Sequence, residues 1–395
     1  MSRPDHRLKT ITLAAGLDLA AAHSHARGAP RRVPSWWPTL SEPAAKPAAR
    51  QATTMTRFFK SFPIVVAALL CTHGAWAFQA GWRQISIPGP SPEAPATTVA
   101  LYYPTQAPAR AIPMGPYAPN VAIQAAPEPT VKGLIVLSHG TGGSELGHSR
   151  LAEALAEDGY LVAALRHPRD NWQDHSLLND SPERLFDERP RQVTWVIDAL
   201  LRDPQWKDRI AQDAQGPKVG AVGHSAGGYT VLALAGAQPD MSRIAKHCDA
   251  NRADDPIFCK TARADRTVAQ PSATLASAAP LTDGRVRAVV ALAPFGVVFT
   301  ASSLANIRMP VAIYEAEKDR WLVPRFHAEW IAQNLPGVEL HRVANAWHFA
   351  FMDTPSMSIP SPDGDVAADP TGFDRAVFLK RLSPELPAFF DKAFK

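Results

Sequence analysis

Two patterns of apolar residues alternate along the second part of the chain. Short, largely apolar runs at Leu134 to Leu137, Tyr160 to Leu165, Lys218 to Val222, Val286 to Leu292, Met309 to Tyr314 and Val338 to Val343 read as buried strands. Between them, Ser149 to Asp158 and Ala226 to Ala237 read as helices. Val193, Val196, Ile197, Leu200 and Leu201 mark one face of another by their three-and-four spacing. Trp82 to Ile87 and Thr97 to Tyr103 open the series as strands and lead into a Pro-rich connection, Pro104 to Thr130. Arg375 to Phe394 closes it as a helix. Such alternation predicts an α/β domain over 78–395: a mostly parallel, doubly wound sheet with helices on both faces and its site at the strands' carboxyl ends. One segment breaks the rhythm. About 239–283, polar and Ala-rich, is read as a cap insertion over the site.

The first part of the chain has a different character. Met55 opens a basic stretch followed by an apolar run, Pro63 to Cys71, and then Ala75-Trp76-Ala77. This is the order of a secretory signal peptide, 55–77, cut after Ala77. The run is too short to span a membrane. Cys71 as a lipoprotein cysteine is disfavoured by the bulky Leu70 before it. Residues 1–54, rich in Ala, Pro and Arg, have no sustained apolar period with which to bury a core. Either translation begins at Met55 or these residues are a disordered extension.

Charge changes meaning once the leader is set aside. The chain has 41 Lys and Arg against 37 Asp and Glu, but 1–77 hold ten of the former and three of the latter, leaving 31 against 34. The basic total therefore gives no argument for nucleic-acid binding, and no basic cluster adds one. Past the leader there are two cysteines, Cys248 and Cys259, whose spacing fits no zinc pattern. In the oxidising compartment that export implies they pair most simply with each other; two free thiols are the alternative.

Candidate chemistry centres on Gly223-His224-Ser225-Ala226-Gly227, between a strand and a helix. Small residues two positions either side of a serine allow the sharp turn that lifts its hydroxyl clear of the sheet as a nucleophile. Partners on such a fold follow in the order acid, then histidine. Asp319, after the strand Met309 to Tyr314, is the predicted acid, with Glu315 and Glu317 equally suited as loop carboxylates. His348 is the predicted base, whereas His327 and His341 fall in a helix-like stretch and in a strand. Ser138-His139-Gly140-Thr141-Gly142-Gly143 follows a strand, and its glycines let main-chain N–H groups face a ligand. The predicted oxyanion hole is the N–H groups of Thr141 and Ala226, with His139 structural. Trp172, Phe295 and Trp321 stand on loops near the expected site as pocket candidates or packing residues. No internal repeat, Walker-type loop or metal-ligand spacing occurs, so no cofactor and no metal is expected.

These segments resemble a known family. Ser138 to Gly142, Leu151-Ala152, Asp158 to Ala164, Arg166-His167-Pro168-Arg169-Asp170 and Gly223 to Gly228 together are similar to the platelet-activating-factor acetylhydrolases and to the bacterial predicted dienelactone hydrolases related to them, over most of 82–350. The resemblance implies an α/β-hydrolase fold, a serine nucleophile and cleavage of carboxylic esters. Two departures matter. Dienelactone hydrolases use cysteine where this chain has Ser225. The acetylhydrolases carry their acid after the strand next to the elbow, where this chain has Ala291-Leu292-Ala293-Pro294. An acid one strand later resembles that of bacterial esterases and secreted polyester hydrolases. The expected protein is a periplasmic or secreted serine hydrolase acting on small-molecule or lipid esters, with no nucleic-acid partner and no membrane span after signal cleavage. An acyltransferase or a peptidase would share the same triad.

Overall fold

The computed structural model describes residues 78–180, 182–261 and 280–395. The predicted signal peptide, the extension before it and residues 262–279 of the predicted cap lie outside them.

Chain order gives β1 (Gln79–Ile87), β2 (Thr97–Thr105), β3 (Arg110–Ala111), β4 (Asn120–Ile123), β5 (Leu134–Ser138), α1 (Ser149–Glu157), β6 (Leu161–Arg166) and α2 (Pro182–Arg202). A small ribbon of β7 (Gln212–Asp213) and β8 (Gly216–Pro217) precedes β9 (Val219–His224), α3 (Ala226–Leu234), α4 (Ser242–Asn251) and α5 (Pro256–Thr261). Then come β10 (Val286–Leu292), α6 (Ala301–Leu304), β11 (Val311–Ala316), α7 (Ala328–Asn334) and β12 (Glu339–Val343). A second ribbon, β13 (Pro360–Ser361) with β14 (Gly364–Asp365), leads to α8 (Arg375–Ala393).

Among the described residues, ten strands form one sheet in the order β12-β11-β10-β9-β5-β6-β2-β1-β4-β3. From β6 to β12 every neighbouring pair is parallel, while β2 joins antiparallel to β6 and to β1. Every residue of β5, β9 and β11 is buried, which explains why they read as continuous apolar runs: helices cover both faces. One face packs α1 and α8 through Leu151, Leu155, Leu382 and Phe390. The other packs α2, α3 and α7 through Val193, Ile197, Leu232 and Ile331.

Two differences from the sequence reading are local. The Pro-rich connection contains β3 and β4, strands too short for a periodic signal, which extend the sheet edge. The helix around Val193 begins already at Pro182 and carries Pro190 inside it. Pro190 has no N–H for the carbonyl of Phe186, and that oxygen accepts instead from the Tyr229 hydroxyl at 3.1 Å, tying α2 to α3.

Candidate active site

Ser225 sits between β9 and α3 with φ 57 and ψ −117, a strained conformation for a residue with a side chain. The glycines around it are explained by close approach. A Cβ on Gly223 would lie 2.0 Å from the Gly227 carbonyl oxygen, and one on Gly227 would lie 1.9 Å from that of Ser138. The turn is pinned from the next strand: Ser225 N–H donates to Leu292 O, and Phe295 N–H donates to Ser225 O, both at 3.0 Å.

β11 and β12 bring the other two groups. Asp319 stands in the turn after β11, where its Oδ1 accepts from the N–H groups of Trp321 (2.9 Å) and Leu322 (2.8 Å). Its Oδ2 lies 2.7 Å from His348 Nδ1, and His348 Nε2 lies 2.9 Å from Ser225 Oγ. With Nδ1–H donating to the carboxylate, Nε2 is left to accept the serine proton. Asp319 and His348 are buried. The other two loop carboxylates point elsewhere: Glu315 Oε1 faces Arg342 at 3.5 Å, and Glu317 accepts from Asn345 N–H at 2.9 Å. His327 and His341 do not reach Ser225. The former faces Asp255 at 3.2 Å and the latter stacks on Tyr314.

Gly140 approaches the nucleophile closely, a Cβ there falling 3.2 Å from Ser225 Cβ, so the loop bearing Thr141 borders the serine. Ala226 is the first residue of α3, and a first-turn N–H has no partner within its helix. Beneath the loop lies a buried polar network. Arg189 and Asp170 have no exposed side-chain surface and pair at 2.5 Å. The guanidinium also donates to the His139 carbonyl, to Ser138 Oγ and to Thr230 Oγ1, while Asp170 Oδ1 accepts from Gly142 N–H at 2.9 Å. Burial pulls the pKa of Arg189 below its ordinary value, and Asp170 opposes that fall.

Histidines complete the surroundings. His139 Nδ1–H donates to Gly140 O at 2.6 Å and its Nε2 accepts from His167 N–H at 3.1 Å, so its ring braces the loop. His167 bridges Gln192 and Ser138. His224 Nε2–H donates to the carbonyl of His348 at 2.9 Å, linking the residue before the nucleophile to the base. His148 packs 5.2 Å from His224, and among the described residues neither of its ring nitrogens has a hydrogen-bond partner. Burial holds all four well toward the neutral form, with His148 lowered to about 4.

The aromatic candidates separate. Trp321 stacks on His348 with ring centroids 5.7 Å apart. Trp172 is 57 % exposed beside the Thr141 loop, its N–H donating to Gly143 O and its ring under Arg166. Phe295 is buried against Phe186 behind the elbow. Cys248 and Cys259 form a disulfide with Cα atoms 5.4 Å apart, joining α4 to α5. His247 brings a ligand-type atom near those sulfurs, but the sulfurs are bonded to each other. No helix among the described residues is long and apolar enough to cross a membrane.

Sequence reasoning missed Arg189, Asp170 and the bracing roles of His167 and His224. Arg166-His167-Pro168-Arg169-Asp170 directly after a strand, and His224 beside the nucleophile, were the available signals.

No family model matches the chain. It is 31% identical over 109 residues to the cutinases est1 and est2 of Thermobifida alba, a match covering 28% of this chain and 32% of each relative. The chain thus spans about a third of the length of the curated relatives it matches. A ferulic acid esterase from Streptomyces cinnamoneus superposes with a TM-score of 0.54 at 22% identity, over 81% of this chain and 91% of that one. A dienelactone hydrolase from Anabaena variabilis gives 0.45 at 14% identity, over 80% and 100%. The parallel sheet, the strained serine turn at the end of β9 and the likeness to the ferulic acid esterase together identify an α/β-hydrolase fold.

Proposed function

We propose that this chain is an exported serine hydrolase that cleaves carboxylic esters. The observation that carries the reading is the hydrogen-bonded line from Ser225 through His348 to Asp319, at 2.9 and 2.7 Å, with the serine on a strained turn. The names of the partial relatives, cutinases, and of the structural neighbour, a ferulic acid esterase, support an ester as substrate.

The steps follow from the groups in place. His348 Nε2 takes the Ser225 proton as Oγ attacks the ester carbonyl, and Asp319 stabilises the imidazolium through Nδ1–H. The N–H groups of Thr141 and Ala226 hold the alkoxide, each such donor being worth ~3–4 kcal/mol in the transition state. The proton passes from Nε2 to the departing alcohol oxygen. Water, deprotonated by the same nitrogen, then attacks the acyl carbon, and Ser225 Oγ leaves, taking that proton back from Nε2 as the acid is released. Trp321, stacked on His348, and Trp172, exposed by the Thr141 loop, would line the substrate. The disulfide and the segment 55–77 support export. α4 and α5, the described part of the 239–283 insertion, would form the cap.

A panel of p-nitrophenyl esters of rising chain length, run beside amides and acceptor alcohols, tests the reaction. Labelling by a fluorophosphonate, located by peptide mass spectrometry, tests the nucleophile. Amide cleavage or acyl transfer in preference to ester hydrolysis would replace this reading with a peptidase or an acyltransferase.

A further inference from the structure

A cleft of about 250 Å³ lies between α4, the segment after β10 and the start of α7. None of the residues of the Ser225 site lines it. Three cations do: Arg243 and Lys246 from α4, and Arg325 from the turn before α7. This is a local excess of positive charge on a domain that carries 31 basic against 34 acidic side chains over 78–395.

Arg325 is paired, whereas the other two cations are presented to the cleft without a salt bridge. Arg243 is fixed by its Nε–H, which donates to Val297 O at 2.8 Å, and by the ring of Trp330, 4.8 Å beneath the guanidinium carbon. Trp330 is itself held by its indole N–H on Phe299 O. Neither Arg243 nor Lys246 has an ion-pair partner among the described residues. Of the neighbouring carboxylates, Asp240 accepts from Ser242 N–H and Oγ–H at the start of α4 and feels the charges of Lys246 and Arg243, which help to lower its pKa, while Asp254 pairs with Arg325. His247 at the cleft floor gives its Nε2–H to the buried Asp255. Phe326 and Trp330 also line the cleft, the Arg325 guanidinium carbon lying 4.3 Å from the Phe326 ring centroid.

A planar, delocalised cation held over an indole, with a second mobile cation beside it, suits a carboxylate; aromatic walls suit a ring attached to that carboxylate. At about 30 Å³ per water the volume equals roughly eight waters, enough for a ligand of one ring and one acid group. We infer that this cleft is a binding site for a small arene carboxylate, with the acid on Arg243 and Lys246 and the ring against the aromatic side of the cleft formed by Trp330 and Phe326. It is separate from the Ser225 site and does not depend on the proposed reaction.

Calorimetric titration of the disulfide-intact protein with benzoate, read without any turnover, tests this. One benzoate should bind per chain, with acetate and inorganic phosphate at least tenfold weaker. Lys246→Gln, an exposed change that leaves no partner behind, should lower benzoate affinity several-fold, and Arg243→Gln at least tenfold. Blocking Ser225 with a phosphonate should leave binding unchanged. Absence of saturable binding, equal affinity for acetate or phosphate, indifference to Lys246→Gln, or loss of binding on blocking Ser225 would each overturn the assignment. None of these outcomes bears on whether Ser225 hydrolyses esters.

Discussion

The two halves of the candidate site are held by different physics. Around Ser225 the restraint is steric and buried: two glycines with no room for a Cβ, a positive φ, and the solvent-free Arg189–Asp170 pair under the Thr141 loop. Around Asp319 and His348 it is a set of hydrogen bonds between loops at the far end of the sheet, two from backbone N–H groups and one from the imidazole. In the first region position and stability are one property, whereas in the second a single atom can change without disturbing the packing. Substitutions should divide accordingly.

The largest effect expected is at the reacting atom. Ser225→Ala removes only a hydroxyl and should lower turnover by roughly 10⁴–10⁶ with an unaltered thermal midpoint; near-normal turnover in the folded variant would sink the proposed mechanism. Asp319→Asn comes next, at about 10⁴ in turnover with stability little changed, because the amide favours the wrong imidazole tautomer. Glu315→Gln and Glu317→Gln should cost less than tenfold, and the reverse ranking would move the acid.

Arg189→Met is the change that separates the two regions most sharply. It leaves Asp170 buried without its cation, which costs about 3–5 kcal/mol in urea unfolding, and it removes the donor to the His139 carbonyl in the Thr141 loop, so turnover should fall together with stability. A variant that lost turnover alone would show the network to be catalytic instead of supporting. Reducing the Cys248–Cys259 disulfide should cost roughly 2–3 kcal/mol for a loop of this size, with little change in the Ser225–His348 geometry.

The last test varies pH. His148 titrates near 4 in the fold, below the ordinary 6.5, and His139, His167 and His224 are lowered as well. A depressed histidine contributes nothing against the fold above about 6.5; as pH falls below that value the unfolded chain takes up protons that the native state refuses. Stability should therefore decline between pH 6.5 and 4 by about 1.4 kcal/mol per unit for each net proton. Glu153 and Asp353, raised by burial from 4.5 to about 8 and from 3.8 to about 6, act in the opposite sense, the first between pH 8 and 4.5 and the second between pH 6 and 3.8. Denaturation midpoints measured from pH 8 to 4.5 would give the balance, and a midpoint rising on acidification would mean that the carboxyls dominate.

Legibility in the sequence followed the range of the interaction. Strands buried on both faces announce themselves as apolar runs, and the turn at Ser225 is written in five consecutive residues. Asp319, Glu315 and Glu317 could not be separated by pattern, because only the direction of the chain after β11 decides which carboxylate meets His348. Arg189 was invisible. Among Glu188, Pro190, Arg191 and Gln192 it reads as one more solvated helix residue, and its burial depends on a partner nineteen residues earlier in the chain. β3 and β4 escaped because two and four residues in a Pro-rich stretch carry no period.

Among the described residues the ten-stranded sheet has two borders at which a foreign strand could add. One is β3, two exposed residues long, between Pro108 and Pro113, which offers too little backbone for pairing. The other is β12, where Glu339, His341 and Arg342 break up the apolar surface and Glu339 and Arg342 are tethered to Lys392 and Glu329. Short, proline-flanked or charged margins discourage edge-to-edge aggregation. A chain whose parallel interior is so uniformly hydrophobic can thus stay dispersed once folded, and the hazard passes to the folding phase, when β5, β9 and β11 are still uncovered.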